Sequence, residues 1–146
     1  MAGIVVGIDG SDHSQRALEW AMKEAAIRHV PLTVITVHQA IAGYSGHAVA
    51  YPGDDALAGK AGKLAQEEAD QVLARLGGTA PETVTVQAVT GLPAEALISA
   101  SRDADMLVVG SRGSGGFARL RLGSVGTQVT HHAHCPVVLI PPEDRG

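Results

Sequence analysis

GIVVGIDGSDHSQRALEWAMKEAAIRHVPLTVITV, residues 3–37, holds two β-branched runs separated by a helical pattern. GIVVGI (3–8) and LTVITV (32–37) are short, apolar and nearly continuous, as strands covered on both faces of a parallel sheet are. Between them Ala17, Leu18, Ala21, Met22 and Ala25 recur at helical spacing and form one stripe, with Ser11 or Asp12 available as N-cap. Strand, helix and strand of these lengths predict a right-handed crossover between parallel neighbours.

The pattern continues to the end of the chain. Three further apolar runs follow: TVTVQAV (83–89), MLVVG (106–110) and PVVLIP (136–141). In 54–78, Leu57, Ala61, Leu64, Ala65, Val72 and Leu76 lie on one broad helical face, and a Gly pair suits the C-cap. PAEALISASRDA (93–104) opens with Pro93 at the first helical position, where its missing N–H costs nothing. GSVGTQVTHHAH (123–134) is the last helical pattern and stops before Pro136. This alternation predicts an α/β fold: one domain over 1–146, with a doubly wound, open, five-stranded parallel sheet and helices on both faces. Ligands of such sheets bind outside the carboxyl ends of the strands, where strand order reverses. Residues 39–56 form one long loop at such an end, with the character of either a lid or a plain surface insertion.

Composition narrows the partners. The chain has 146 residues, a net charge of -4 and 3% aromatic residues, which disfavours nucleic acid and anionic membranes as partners. Cys135 is the only cysteine, so no intrachain disulfide forms. MAGIVVGID lacks the basic region of a signal peptide, and no window reaches the roughly twenty apolar residues of a membrane span. A cytoplasmic location is the expectation.

Against the acidic total, residues 106–142 contain Arg112, Arg119 and Arg121 and neither Asp nor Glu. A glycine loop after a strand exposes backbone N–H groups, and a helix starting near Ser124 adds the positive end of its dipole. Strand, glycine loop and helix start come in the order a phosphate site requires. A Walker A loop is excluded, because the segment has no Lys. Gly113, Gly115 and Ala118 match G-x-G-x-x-A, but too late in the chain for a dinucleotide fold and without the acidic residue that should follow. HHAHC (131–135) crowds its candidate ligands into one helix end, which fits His enrichment at a helix C-terminus better than a metal site. No metal site is therefore expected.

Gly110, Gly113, Gly123 and Ser124 spell G-x2-G-x9-G-S. With DADMLVVGSRG before and CPVVLIP after, VVGIDGSDHSQRALEWA at the front and VTGLPAEALISAS in the middle, the chain resembles the ATP-binding branch of the universal stress protein family. That resemblance implies strand order 3-2-1-4-5 and an adenine nucleotide lying across the switch between the first and fourth strands. It implies that Asp9 reaches the ribose, that Gly7 and Ile8 line the base, and that Val37 and His38 meet adenine through backbone groups. Val109 and Gly110 would pass beneath the ribose. Gly113, Gly123, Ser124 and Val125 would hold phosphates, with Arg112 beside them and Mg2+ on the phosphates rather than in a protein cage. On local chemistry alone, Asp9 is equally suited to capping the first helix. Gly126 stands where relatives often carry a polar side chain, and Arg121 where an apolar residue is usual.

The phosphate segment has no carboxylate base, so at most weak ATPase activity is expected of a nucleotide-dependent stress-response regulator. The alternatives are a cyclic AMP-binding relative, a protein-interaction module without nucleotide, and an adenylating enzyme of a related fold. The last strand, Pro136, Val137, Val138, Leu139 and Ile140, is an apolar sheet edge that invites pairing, and the resemblance implies a homodimer through it.

Overall fold

The computed structural model describes residues 2–39, 41–42, 48–49, 54–111 and 124–141. Its strands are β1 (Ile4–Ile8), β2 (Leu32–Gln39), β3 (Ile41–Ala42), β4 (Ala48–Val49), β5 (Val84–Gly91), β6 (Met106–Gly110) and β7 (Val137–Ile140). The helices are α1 (Asp12–Arg28), α2 (Asp54–Leu76), α3 (Pro93–Ser101) and α4 (Ser124–His132). Five strands form one parallel sheet in the order β5-β2-β1-β6-β7. Counting only these five, the order is the expected 3-2-1-4-5. Within the 39–56 segment, β3 and β4 make a two-residue antiparallel ladder that the sequence pattern did not announce.

The pleat of β1 divides the core in two, because successive side chains leave a strand on opposite faces. Ile4, Val6 and Ile8 pack with Leu18, Met22 and Val72 from α1 and α2. Val5 packs with Leu97 and Val129, from α3 and α4, on the other face. The predicted α1 stripe is buried along its whole length, and Ser11 is the N-cap, accepting the Ser14 N–H.

Leu64 departs from the expected α2 face. It is 56% exposed, while Ala65, Ala69 and Val72 face the sheet. Alanine and glycine let the helix ride close to β5, where a Cβ on Gly62 would stand 3.0 Å from the Ala88 Cβ. The contact stripe therefore follows the small residues, and Leu64 turns outward. At its far end α1 closes on His29, which adopts the left-handed conformation at φ 57° and donates its N–H to the Ala25 and Ala26 carbonyls.

Candidate functional site

The site is built where strand order reverses. From β1 the chain crosses through α1 and α2 to β2 and β5 on one side, then returns through α3 to β6 on the other. In register, Ile8 pairs with Thr36 and Val6 with Val108. Asp9 therefore leaves the sheet level with Val37, beside the end of β6 at Gly110. Neighbouring strands lie about 4.8 Å apart, so three strand ends meet within roughly 10 Å.

Local hydrogen bonds fix the turn that carries Asp9. Its backbone N–H donates to Ser14 Oγ at 3.2 Å. The Ser14 hydroxyl donates in turn to the Ser11 carbonyl at 3.1 Å, and Ser14 is buried. Asp9 Oδ1 accepts the Ser11 N–H at 2.9 Å and the Ser11 hydroxyl at 2.5 Å. Gly10, at φ 83°, makes the bend that lets the carboxylate reach forward. Asp9 thus supports the start of α1 while Ser11 caps it, and its carboxylate is held at the carboxyl end of β1.

Gly7 is small for a packing reason. A Cβ there would stand 2.8 Å from Leu97 Cδ1, so α3 lies directly on the β1 backbone. The side chains of Ile8 and Val109 are buried on opposite faces of the sheet. Val37 and Val125 are partly buried against the α3 and α4 core, and Gly110 and His38 are partly exposed at the strand ends. Ile8, Val37, Val109 and Val125 therefore spend their side chains on the core at this end of the sheet.

The β6 exit is tied to its neighbour: the Ser111 N–H donates to the Ile140 carbonyl at 2.9 Å. Beyond β7, Arg16 donates to the Pro141 carbonyl at 2.6 Å, joining α1 to the same rim. At the other end, the His134 N–H donates to Ser101 Oγ at 2.9 Å, which holds the end of α4 near the entry of β7. The opposite terminus of α4, with exposed Ser124, accordingly points toward the carboxyl end of the sheet. Backbone N–H groups at such a terminus have no intrahelical partners. Arg112, Gly113 and Gly123 lie outside the described residues, as do Arg119 and Arg121.

Glu68, midway along α2, lies within electrostatic reach of Asp9 and escaped the sequence pattern. Partial burial, reinforced by the negative charge of Asp9, raises its carboxyl above the ordinary glutamate range. No spacing rule joins positions 9 and 68. Cys135 is also raised, by burial and then by Asp105, but it sits just before β7 at the amino end of the sheet. Among the described residues no three His, Cys, Asp or Glu side chains group as metal ligands, and no helix is long and apolar enough to cross a membrane.

Comparison with known proteins agrees with this architecture. The universal stress protein family model matches residues 2–141. Universal stress protein Rv2623 of Mycobacterium tuberculosis is 36% identical over 144 residues, covering 97% of this chain and 48% of that protein. The chain thus spans about half the length of the curated relatives it matches. A universal stress protein structure in complex with cAMP superimposes with a TM-score of 0.68 at 26% identity, covering 97% of this chain and 98% of the other. The universal stress protein from Archaeoglobus fulgidus in complex with dAMP gives 0.61 at 26% identity, covering 96% and 98%. With the family model matched from end to end of the sheet and the strand order in place, the chain belongs to the universal stress protein family.

Proposed function

We propose that the chain is an adenine nucleotide-binding regulator of the stress response, a single domain taking ATP with Mg2+ at the carboxyl ends of β1, β2 and β6. The observation that carries this reading is the convergence of Asp9, Val37, His38 and Gly110 at the strand-order reversal, with the start of α4 on the same side. Two relatives of the same fold are named as complexes with adenine nucleotides, cAMP and dAMP.

Asp9 is assigned to the ribose, with its carboxylate already oriented by Ser11. The backbone of Gly7, Ile8, Val37 and His38 lines the base, and Val109 and Gly110 pass beneath the sugar. Arg112, Gly113, Gly123, Ser124 and Val125 are assigned to the phosphates. A divalent ion is assigned to the phosphates, where it would neutralise their charge, rather than to a protein cage. No carboxylate lies in 106–142 to serve as base, which keeps hydrolysis slow. The apolar β7 edge is assigned to a homodimer, and the cytoplasm is the proposed compartment. A second reading, cyclic AMP as ligand, has a specific support in the cAMP-bound relative at 26% identity.

Calorimetric titration with ATP plus Mg2+, and separately with cyclic AMP, tests the proposal on protein stripped of copurified nucleotide. Saturable heat with ATP supports it, and heat with cyclic AMP alone keeps the pocket and changes the signal. Silence with both overturns nucleotide binding. Gly123→Asp places a negative side chain against the phosphates and is expected to abolish ATP binding while the protein stays folded.

A further inference from the structure

At the end of the sheet opposite Asp9 lies a cavity of about 970 Å³. Its walls are the last turns of α1 with Lys23 and Ile27, the entry to β2 at Pro31, and the approach to β5 through Ala80, Pro81 and Glu82. None of these residues belongs to the nucleotide reading. Ile27 is 71% exposed, the most exposed large hydrophobic side chain among the described residues.

We infer that this face is a contact surface for a second copy of the same chain, packed about a two-fold axis. A two-fold contact requires one surface to carry both a feature and its complement. This face does so twice. Ile27 protrudes beside an apolar recess walled by Pro31, Ala80 and Pro81, so each copy supplies both a knob and a recess. Lys23 and Glu82, of opposite sign, line the same cavity, and neither forms an ion pair among the described residues. Across a two-fold axis Lys23 of each copy meets Glu82 of the other, which makes two reciprocal pairs from one surface. The face is smaller than the 20–30 residues a side typical of stable complexes, so the association is weak and concentration-dependent. It lies at the amino ends of β2 and β5, on the other side of the sheet from β7, so both surfaces can be occupied in one assembly.

Sedimentation velocity over a wide concentration range tests this with the wild type, Ile27→Asp, Lys23→Glu and Glu82→Lys. Ile27 is exposed, so Ile27→Asp leaves the fold intact, which circular dichroism checks. Each single variant is expected to lose one step of association relative to wild type. Mixing Lys23→Glu with Glu82→Lys in equal amounts is expected to restore that step, because every cross-copy pair then joins opposite charges. Wild type that stays at one size at all concentrations, single variants that sediment like wild type, or a mixture that fails to reassociate would each overturn the inference.

Discussion

Asp9 and Ser11 are locked together: Asp9 Oδ1 takes the Ser11 N–H at 2.9 Å and its hydroxyl at 2.5 Å, and Ser11 Oγ in turn accepts the Ser14 N–H at 3.2 Å. The residue assigned to the ribose is therefore also part of the turn that starts α1. Asp9→Ala is expected to cost about 1 kcal/mol of stability, in the range of a lost helix cap. Asp9→Asn keeps an acceptor for the Ser11 N–H and is expected to stay near wild-type stability while lowering ATP affinity about tenfold. Urea unfolding and calorimetry on the two variants separate the roles.

The Glu68 carboxyl is raised first by burial and then by the charge of Asp9. The folded state therefore holds this proton more tightly than the unfolded chain does. Its contribution to stability is present below the unfolded value, about pH 4.3, and is lost as pH rises through the folded value. Glu68→Gln removes that loss. Unfolding free energies measured from pH 4 to pH 7 are expected to fall less for Glu68→Gln than for wild type, and Asp9→Asn is expected to show a smaller change in the same direction.

Gly7 leaves no room for a methyl group. Gly7→Ala forces the new Cβ to within 2.8 Å of Leu97 Cδ1 in a buried contact, and overpacking of this kind costs about 1–3 kcal/mol. In a Leu97→Ala background the same change is expected to cost far less. A double-mutant cycle by urea denaturation reads the difference directly.

Ser101 is fully buried and bridges two elements. It donates to the Ile98 carbonyl at 2.6 Å and accepts the His134 N–H at 2.9 Å. Ser101→Ala leaves that N–H without its partner and is expected to cost about 1–3 kcal/mol. Hydrogen exchange at His134 is expected to accelerate in the variant.

His29 holds the left-handed position usually given to glycine at a helix end. His29→Val places a β-branched side chain there and is expected to lower stability by about 1–2 kcal/mol. His29→Gly is expected to hold or slightly raise it. Thermal unfolding of both variants checks the order.

The five strands of the main sheet and the four helices were legible because each is recorded in local periodicity. MLVVG reads as a buried strand and is one, and the α1 stripe from Ala17 to Ala25 is buried as its spacing demands. Asp9 was legible as a residue suited to two roles, and the hydrogen bonds show its part at the helix start. Leu64 was misread because the α2 pattern holds two overlapping faces, and periodicity alone does not say which faces the sheet. The β3 and β4 ladder was missed because two-residue strands carry no period.

By itself the sequence determined the five strands of the main sheet and the four helices and, through the family resemblance, how those five strands are ordered. Those are properties of short windows and of a repeating strand-helix alternation. The tertiary structure alone decided that Glu68 feels Asp9, that Leu97 occupies the space Gly7 leaves, that Ser101 holds His134, and that Ile27 stands beside Lys23 and Glu82 at the far end of the sheet. Each depends on how far a helix rotates and how closely it settles on the strands, which is set by side chains distant in sequence filling a common volume.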